Sequence, residues 1–179
     1  MNVLVPLVDG FNEIEFSSIV NILRKAKINA ITVGLVSSIV EGETKQKIVT
    51  DKRITEVDQN KFDALILVGG DPGYKGFLNS SRIINLVKFF NEKEKVIGTI
   101  GESVVVLARA GILENRIATC SPGFEKKIPK PRSYKVVRDG HIITGRDASS
   151  SIIFSLKIVE KLAGKDKMID IKDKIGYEG

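Results

Sequence analysis

Short runs of nearly continuous apolar residues recur along the chain and alternate with segments whose apolar residues have helical spacing. Residues 2–7, 29–35, 64–68 and 96–100 are runs of this kind. Strands with this composition are buried on both faces, and they occur in parallel sheets that helices cover on both sides. The alternation therefore predicts an α/β fold with a mainly parallel central sheet.

The length of 179 residues favours a single domain over residues 1–179, with about 165–179 as a C-terminal tail or short helix. No apolar run approaches the ~20 residues that cross a bilayer, and the first residues lack the basic stretch of a signal peptide. One cysteine, Cys120, cannot form an internal disulfide. We therefore expect a cytoplasmic protein that does not contact a membrane.

The formal charge of +6 raises the question of a nucleic-acid partner. Lysines alternate with acids in residues 165–174, and the chain has three tyrosines and no tryptophan with which to stack bases. We therefore expect no nucleic-acid partner. Because there is one cysteine and one histidine, a Cys/His zinc site is excluded, and we expect neither a metal nor a cofactor.

Three loops carry the polar residues of chemical interest, and each follows a predicted strand. They are residues 10–15 (GFNEIE), residues 69–70 (GG) and residues 101–103 (GES). Open α/β sheets bind ligands at the carboxyl ends of their strands. The three loops are therefore expected to line one pocket.

In the order and spacing of these features the chain resembles the ThiJ/PfpI superfamily, from Met1 to about Gly164. The most specific matches are Gly-x-x-Glu-x-Glu at residues 10–15, the Gly-Gly pair, and an elbow helix that ends in LARAGIL. An Asp-Gly hairpin, Thr-Gly-Arg at residues 144–146 and the ending IVEKLAGK are weaker matches. The resemblance is closest to the small bacterial-type single-domain members, and it implies a flavodoxin-like three-layer α/β/α sandwich and a homodimer.

The resemblance places the superfamily's nucleophilic cysteine at Gly101 and its assisting histidine, where present, at Ser121. Glycine adopts the φ > 0 of a nucleophile elbow without steric cost, but it supplies no thiol. The resemblance therefore implies a catalytically degenerate homodimer, a pseudoenzyme, with a small-molecule or protein-binding role of a stress-response or chaperone-like kind. The deglycase, glyoxalase or peptidase type of activity is expected to be absent.

Glu15 matches an acidic residue that holds a proton against the thiolate in that superfamily. A capping box, with Asn12 at the N-cap and Glu15 at N3, is the competing role for this glutamate. The N–H groups of Gly69 and Gly70 could hold an oxyanion or simply permit a tight turn. The residues expected to bind a small anionic or carbonyl metabolite are Glu15, Gly69, Gly70, Gly101, Glu102, Ser121 and Arg146.

The alternative is an active enzyme that uses Glu15, Cys120 or Ser103 in place of the usual cysteine. Ser103 lies in a Gly-x-Ser sequence, but helix N-capping is its simpler role, and His141, which we expect to face solvent, is the only imidazole base. Cys120 is expected to point away from the pocket if its segment is extended. A pure interaction module is a third hypothesis, based on the broadly apolar first and last helices, which a dimer interface explains equally well.

Overall fold

The computed structural model describes residues 1–178, so the Gly179 end of the predicted domain lies outside the described residues. Within that range there are nine strands: β1 (Asn2–Leu7), β2 (Asn29–Gly34), β3 (Ile39–Glu41), β4 (Lys47–Val49), β5 (Lys52–Arg53), β6 (Ala64–Leu67), β7 (Val96–Ile100), β8 (Val136–Asp139) and β9 (Ile142–Gly145). Seven of them form one sheet in the order β5-β2-β1-β6-β7-β9-β8. Every pairing in this sheet is parallel except that of β8 with β9. Strands β3 and β4 form a separate antiparallel hairpin.

Six α-helices lie on the two faces of the sheet within the described range. They are α1 (Glu13–Lys25), α2 (Gly73–Leu78), α3 (Ser81–Glu92), α4 (Val104–Arg109), α5 (Ser151–Ala163) and α6 (Lys165–Lys174). Buried residues of α1, α5 and α6 share one apolar core, and those of α2, α3 and α4 share the other. The structure therefore confirms the predicted three-layer α/β/α arrangement, and the last helix spans Lys165–Lys174.

Burial on both faces explains the uninterrupted apolar strands. In β1, Val3, Val5 and Leu7 lie in the core with α1 and α5, whereas Leu4 lies in the core on the other face. Each large apolar side chain that is removed from water in this way contributes about 1.5–3 kcal/mol. The sheet is fixed in register because a shift of one residue would exchange these faces.

The parallel arrangement brings the loops after β1, β6 and β7 to the same edge of the sheet, where these three strands are neighbours. The first two loops touch closely at glycine: Gly70 has φ +117, and a Cβ on it would lie 2.3 Å from the Gly10 carbonyl oxygen. A residue with a side chain cannot occupy that position without moving the backbone. The contact sets how closely the loops approach one another.

Ala118 forms an isolated bridge with Pro131 and makes backbone hydrogen bonds to the loop residues on either side of that proline. One local prediction was wrong. His141 is 9% exposed and does not face solvent. Its Nε2 lies 3.0 Å from Oδ1 of Asn91, at the end of α3.

No helix among the described residues combines the length and apolar character needed to cross a membrane.

Candidate functional site

The turn between β7 and α4 forms the elbow of the site. Gly101 has φ +66 and begins a single 3₁₀ turn, Gly101–Ser103, that leads directly into α4. A Cβ at this position would lie 2.9 Å from Oε1 of Glu15. Glycine therefore permits both the left-handed backbone and the close approach of a carboxyl group from α1.

Glu15 lies in the site, and its side chain does not complete a capping box. Asn12 caps α1 as predicted, because its Oδ1 accepts a hydrogen bond from the Glu15 amide at 3.1 Å. The reciprocal bond to the Asn12 amide is not formed: that amide donates to the Gly69 carbonyl at 2.9 Å. The Glu15 carboxyl accepts a hydrogen bond from the Gly69 amide through Oε2 at 2.6 Å.

Burial of Glu15 changes its protonation. The side chain is 2% exposed, and this desolvation raises the pKa of Glu15 to about 8, while the hydrogen bond from Gly69 opposes the rise. The negative charges of Glu102, Glu43 and Asp147 raise the pKa further. At neutral pH Glu15 is therefore mainly a neutral carboxylic acid, which can donate a hydrogen bond as well as accept one.

Glu102, the second residue of the elbow, occupies the remaining donors of the site. Its Oε2 accepts a hydrogen bond from the Gly70 amide at 2.9 Å, and its Oε1 accepts one from Oγ of Ser121 at 2.7 Å. A Cβ on Gly69 would lie 2.8 Å from Oε2 of both Glu15 and Glu102. Glycine at residue 69 is thus what leaves room for the two carboxyl groups side by side.

Six of the seven residues expected in the pocket are brought together at this edge of the sheet: Glu15, Gly69, Gly70, Gly101, Glu102 and Ser121. Arg146 is not part of this hydrogen-bond network within residues 1–178. Its guanidinium pairs with Asp147 at 3.6 Å, and its amide donates to the Lys135 carbonyl. The sequence predicts that the Gly69 and Gly70 amides face a ligand. In the structure each amide donates to a carboxyl group, an arrangement that residue spacing alone does not reveal.

The other candidate catalytic residues are arranged unfavourably for nucleophilic attack. Ser103 is fully buried and its Oγ donates to the Val68 carbonyl at 2.6 Å, so the predicted capping role is also wrong. Cys120 lies in the apolar core beside α4, and burial, followed by the charges of Glu125 and Glu102, raises the pKa of its thiol to about 11. His141 precedes β9 and therefore lies at the opposite end of the sheet from the elbow.

Across residues 1–178, no group of three or more histidine, cysteine, aspartate or glutamate side chains is placed to hold a metal ion.

The raised pKa of Glu15 makes stability depend on pH. Between the ordinary value of 4.5 and about 8, the folded chain binds one proton more at this site than the unfolded chain does. The free energy of unfolding should therefore fall as pH rises, by up to about 1.4 kcal/mol per pH unit from this group. The stabilisation is complete below pH 4.5 and lost as pH rises through about 8.

Glu15→Gln should remove this contribution to the slope, because the amide does not titrate, and urea unfolding across the same pH range measures it. The control is Glu92→Gln, since Glu92 is exposed on α3. A slope in Glu15→Gln equal to that of the unsubstituted protein would show that Glu15 does not titrate as described.

Comparisons with known proteins agree with this geometry. Residues 1–161 match the model of the DJ-1/PfpI family. Protein DJ-1 homolog B of Arabidopsis thaliana is 33% identical over 94% of this chain, although the chain spans only 40% of that protein. A Schizosaccharomyces pombe protein named glutathione-independent glyoxalase DJ-1 is 27% identical, with 93% of this chain and 94% of that protein covered. The structure of oxidized Toxoplasma gondii DJ-1 superposes with a TM-score of 0.95 at 28% identity, with 99% of both chains covered. The chain therefore belongs to the DJ-1/PfpI family.

Proposed function

We propose that this chain lacks the cysteine chemistry associated with its family and uses the elbow site for binding. The observation that carries the proposal is the arrangement at the elbow. Gly101 has no side chain, and the Glu102 carboxyl accepts hydrogen bonds from the Gly70 amide and the Ser121 hydroxyl. By the resemblance, residue 101 is the position of the nucleophile and residue 121 that of the assisting histidine. Both groups of the usual chemistry are then missing.

The ligand class that fits this site is a small anionic or carbonyl metabolite. Backbone N–H and hydroxyl groups bind oxygen acceptors, and the Glu102 carboxyl already occupies them in that manner. Such a ligand would bind when Glu102 turns away from Gly70 and Ser121. The protonated Glu15 beside them would add a further hydrogen-bond donor without adding negative charge.

An active enzyme is the second candidate, because a relative of this chain is named a glyoxalase. The candidate nucleophiles give it little support. Ser103 is fully buried and hydrogen-bonded to a backbone carbonyl, and the thiol of Cys120 has a pKa raised to about 11 by burial. A thiol with that pKa is almost entirely protonated at neutral pH, and the thiolate is the reactive form.

The purified chain should therefore show no cysteine-dependent consumption of glyoxal or methylglyoxal above a protein-free blank. Cys120→Ala is the matched variant, because it removes the sole thiol of the chain. The assay measures the loss of the aldehyde and the appearance of the hydroxy acid. We expect the two proteins to give the same rate, equal to that of the blank. Turnover that disappears in Cys120→Ala would refute the proposal.

A homodimer through the exposed face of α1 is also part of the proposal. Ile14 on α1 is 63% exposed and Val49 on β4 is 75% exposed. Ser17 and Asn21 of α1 border two shallow hollows, one lined also by Val49 and the other by Ile152 of α5. Exposed apolar side chains of this kind support burial against a second copy. Cys120 is a buried free thiol, which suits a reducing compartment, so the cytoplasm remains the proposed location.

Sedimentation velocity at several concentrations tests the dimer. The unsubstituted protein should sediment as twice the 19.6 kDa chain, and Ile14→Lys should shift it towards the monomer by placing a charge in the interface. Asn85→Lys introduces the same charge at an exposed position of α3, on the other face of the sheet, and should leave the dimer unchanged. A monomeric unsubstituted protein, or an Ile14→Lys variant that remains dimeric, would contradict this interface.

A further inference from the structure

The positive charge of the chain is concentrated in one surface segment. Residues 124–138, called here the basic segment, contain six lysines and arginines and one acid, a net charge of +5 against +6 for the whole chain. The lysines of residues 165–174, by contrast, lie among acids, and Lys167 and Lys174 both pair with Asp170. The alternation that predicted dispersed charge therefore applies to the C-terminal helix and not to the basic segment.

All six cations of the basic segment are exposed and make no ion pair with any residue of the described range: Lys126, Lys127, Lys130, Arg132, Lys135 and Arg138. The acid among them, Glu125, turns back to accept a hydrogen bond from the Gly123 amide at 2.8 Å. Like charges at this density repel one another in the free protein. An anionic partner would relieve that repulsion and release its own counterions.

The backbone under these cations is held in place, so the charges are presented in a defined arrangement. Ile128 is 5% exposed and packs in the core beside α4. Phe124 packs edge-on against Tyr74, with ring centroids 5.4 Å apart. The Ala118 amide donates to the Lys130 carbonyl at 3.2 Å, and the Arg132 amide donates to the Ala118 carbonyl at 2.8 Å. A preorganised loop loses less conformational entropy on binding than a flexible tail.

The spacing and the aromatic residues indicate what kind of anion fits. Lys130 and Arg132 flank Pro131, the bridge residue, and side chains two residues apart on extended backbone lie on the same side about 6.6 Å apart. Successive phosphates of an extended single strand are spaced comparably. Tyr134, two residues further on, is 67% exposed, and Lys127 lies 4.2 Å from the centroid of the Phe124 ring. An aromatic ring on a positively charged surface can stack on a base while the neighbouring cations bind phosphates.

We propose that the basic segment, residues 124–138, binds single-stranded nucleic acid, with Lys127, Lys130 and Arg132 on the phosphates and Tyr134 stacked on a base. An acidic peptide would use the cations but would have no base to stack on Tyr134. An anionic membrane would also bind the cations. It would have little apolar surface to bury, because Tyr134 is the one large apolar or aromatic side chain of the basic segment that is exposed within the described range. This surface lies apart from the elbow network, so the inference does not depend on the proposed function of that site.

The test is fluorescence anisotropy with a labelled single-stranded RNA of mixed sequence, about 12 nucleotides long, at about 50 and 200 mM salt. The triple variant Lys127→Gln/Lys130→Gln/Arg132→Gln removes three cations of the basic segment. Its matched control is Lys25→Gln/Lys88→Gln/Lys93→Gln, which removes three exposed cations elsewhere. Thermal unfolding of each protein verifies that the variants fold.

For the unsubstituted protein we expect the logarithm of the binding constant to fall linearly with the logarithm of the salt concentration. The triple variant should make this slope shallower by about 0.7 per lost phosphate contact, or by about 2 for three contacts. At the lower salt concentration the triple variant should bind at least about tenfold more weakly, and the control should remain within about twofold of the unsubstituted protein. Tyr134→Ala should weaken binding severalfold without changing the salt slope.

Three results would overturn the proposal. The first is the absence of RNA binding at the lower salt concentration. The second is an equal loss of binding in the triple variant and its control, which would show a general charge effect. The third is binding of polyglutamate, or of vesicles that contain phosphatidylserine, as tight as that of the RNA at the same ionic strength, which would assign the segment to a different partner.

Discussion

Two hydrogen bonds from adjacent backbone amides organise the edge of the sheet. The Gly69 amide donates to Glu15 and the Gly70 amide donates to Glu102, so α1, the loop after β6 and the elbow after β7 are connected through one dipeptide. The geometry depends on glycine, because a Cβ at residue 69 would lie 2.8 Å from both carboxyl groups. Ser121 adds a fourth segment through its bond to Glu102. Any ligand of this site must compete with bonds that hold the loops together.

A proton on Glu15 is what allows two carboxyl groups to lie beside each other at this point. Desolvation and then the charge of Glu102 raise the pKa of Glu15, so its neutral form predominates at pH 7. If both carboxyl groups were ionised, they would repel each other strongly in a buried site. The site therefore combines a neutral acid, a carboxyl group that is partly accessible to solvent and two occupied amides. That combination is the basis of the binding role that we propose for the site.

Strand positions could be predicted from the sequence, because burial on both faces leaves an unbroken apolar run, as in β1 and β7. The gathering of the three loops followed from parallel topology. Side-chain directions could not be predicted: Asn12 caps α1 as the sequence indicates, but the Glu15 carboxyl turns to Gly69, which is distant in sequence. His141 is buried and contacts Asn91 of α3, and such tertiary contacts leave no local signal in the sequence.

The capture of the Gly70 amide by Glu102 is tested most directly by following the Gly70 amide resonance in NMR spectra during titration with formate, with chloride at equal ionic strength as the reference. In Glu102→Ala the Gly70 and Ser121 donors are vacated, so the resonance should shift saturably with formate. In the unsubstituted protein formate must first displace the carboxyl group of Glu102, so the resonance should respond only at a much higher formate concentration. An equal response of Gly70 in both proteins would show that Glu102 does not occupy the site.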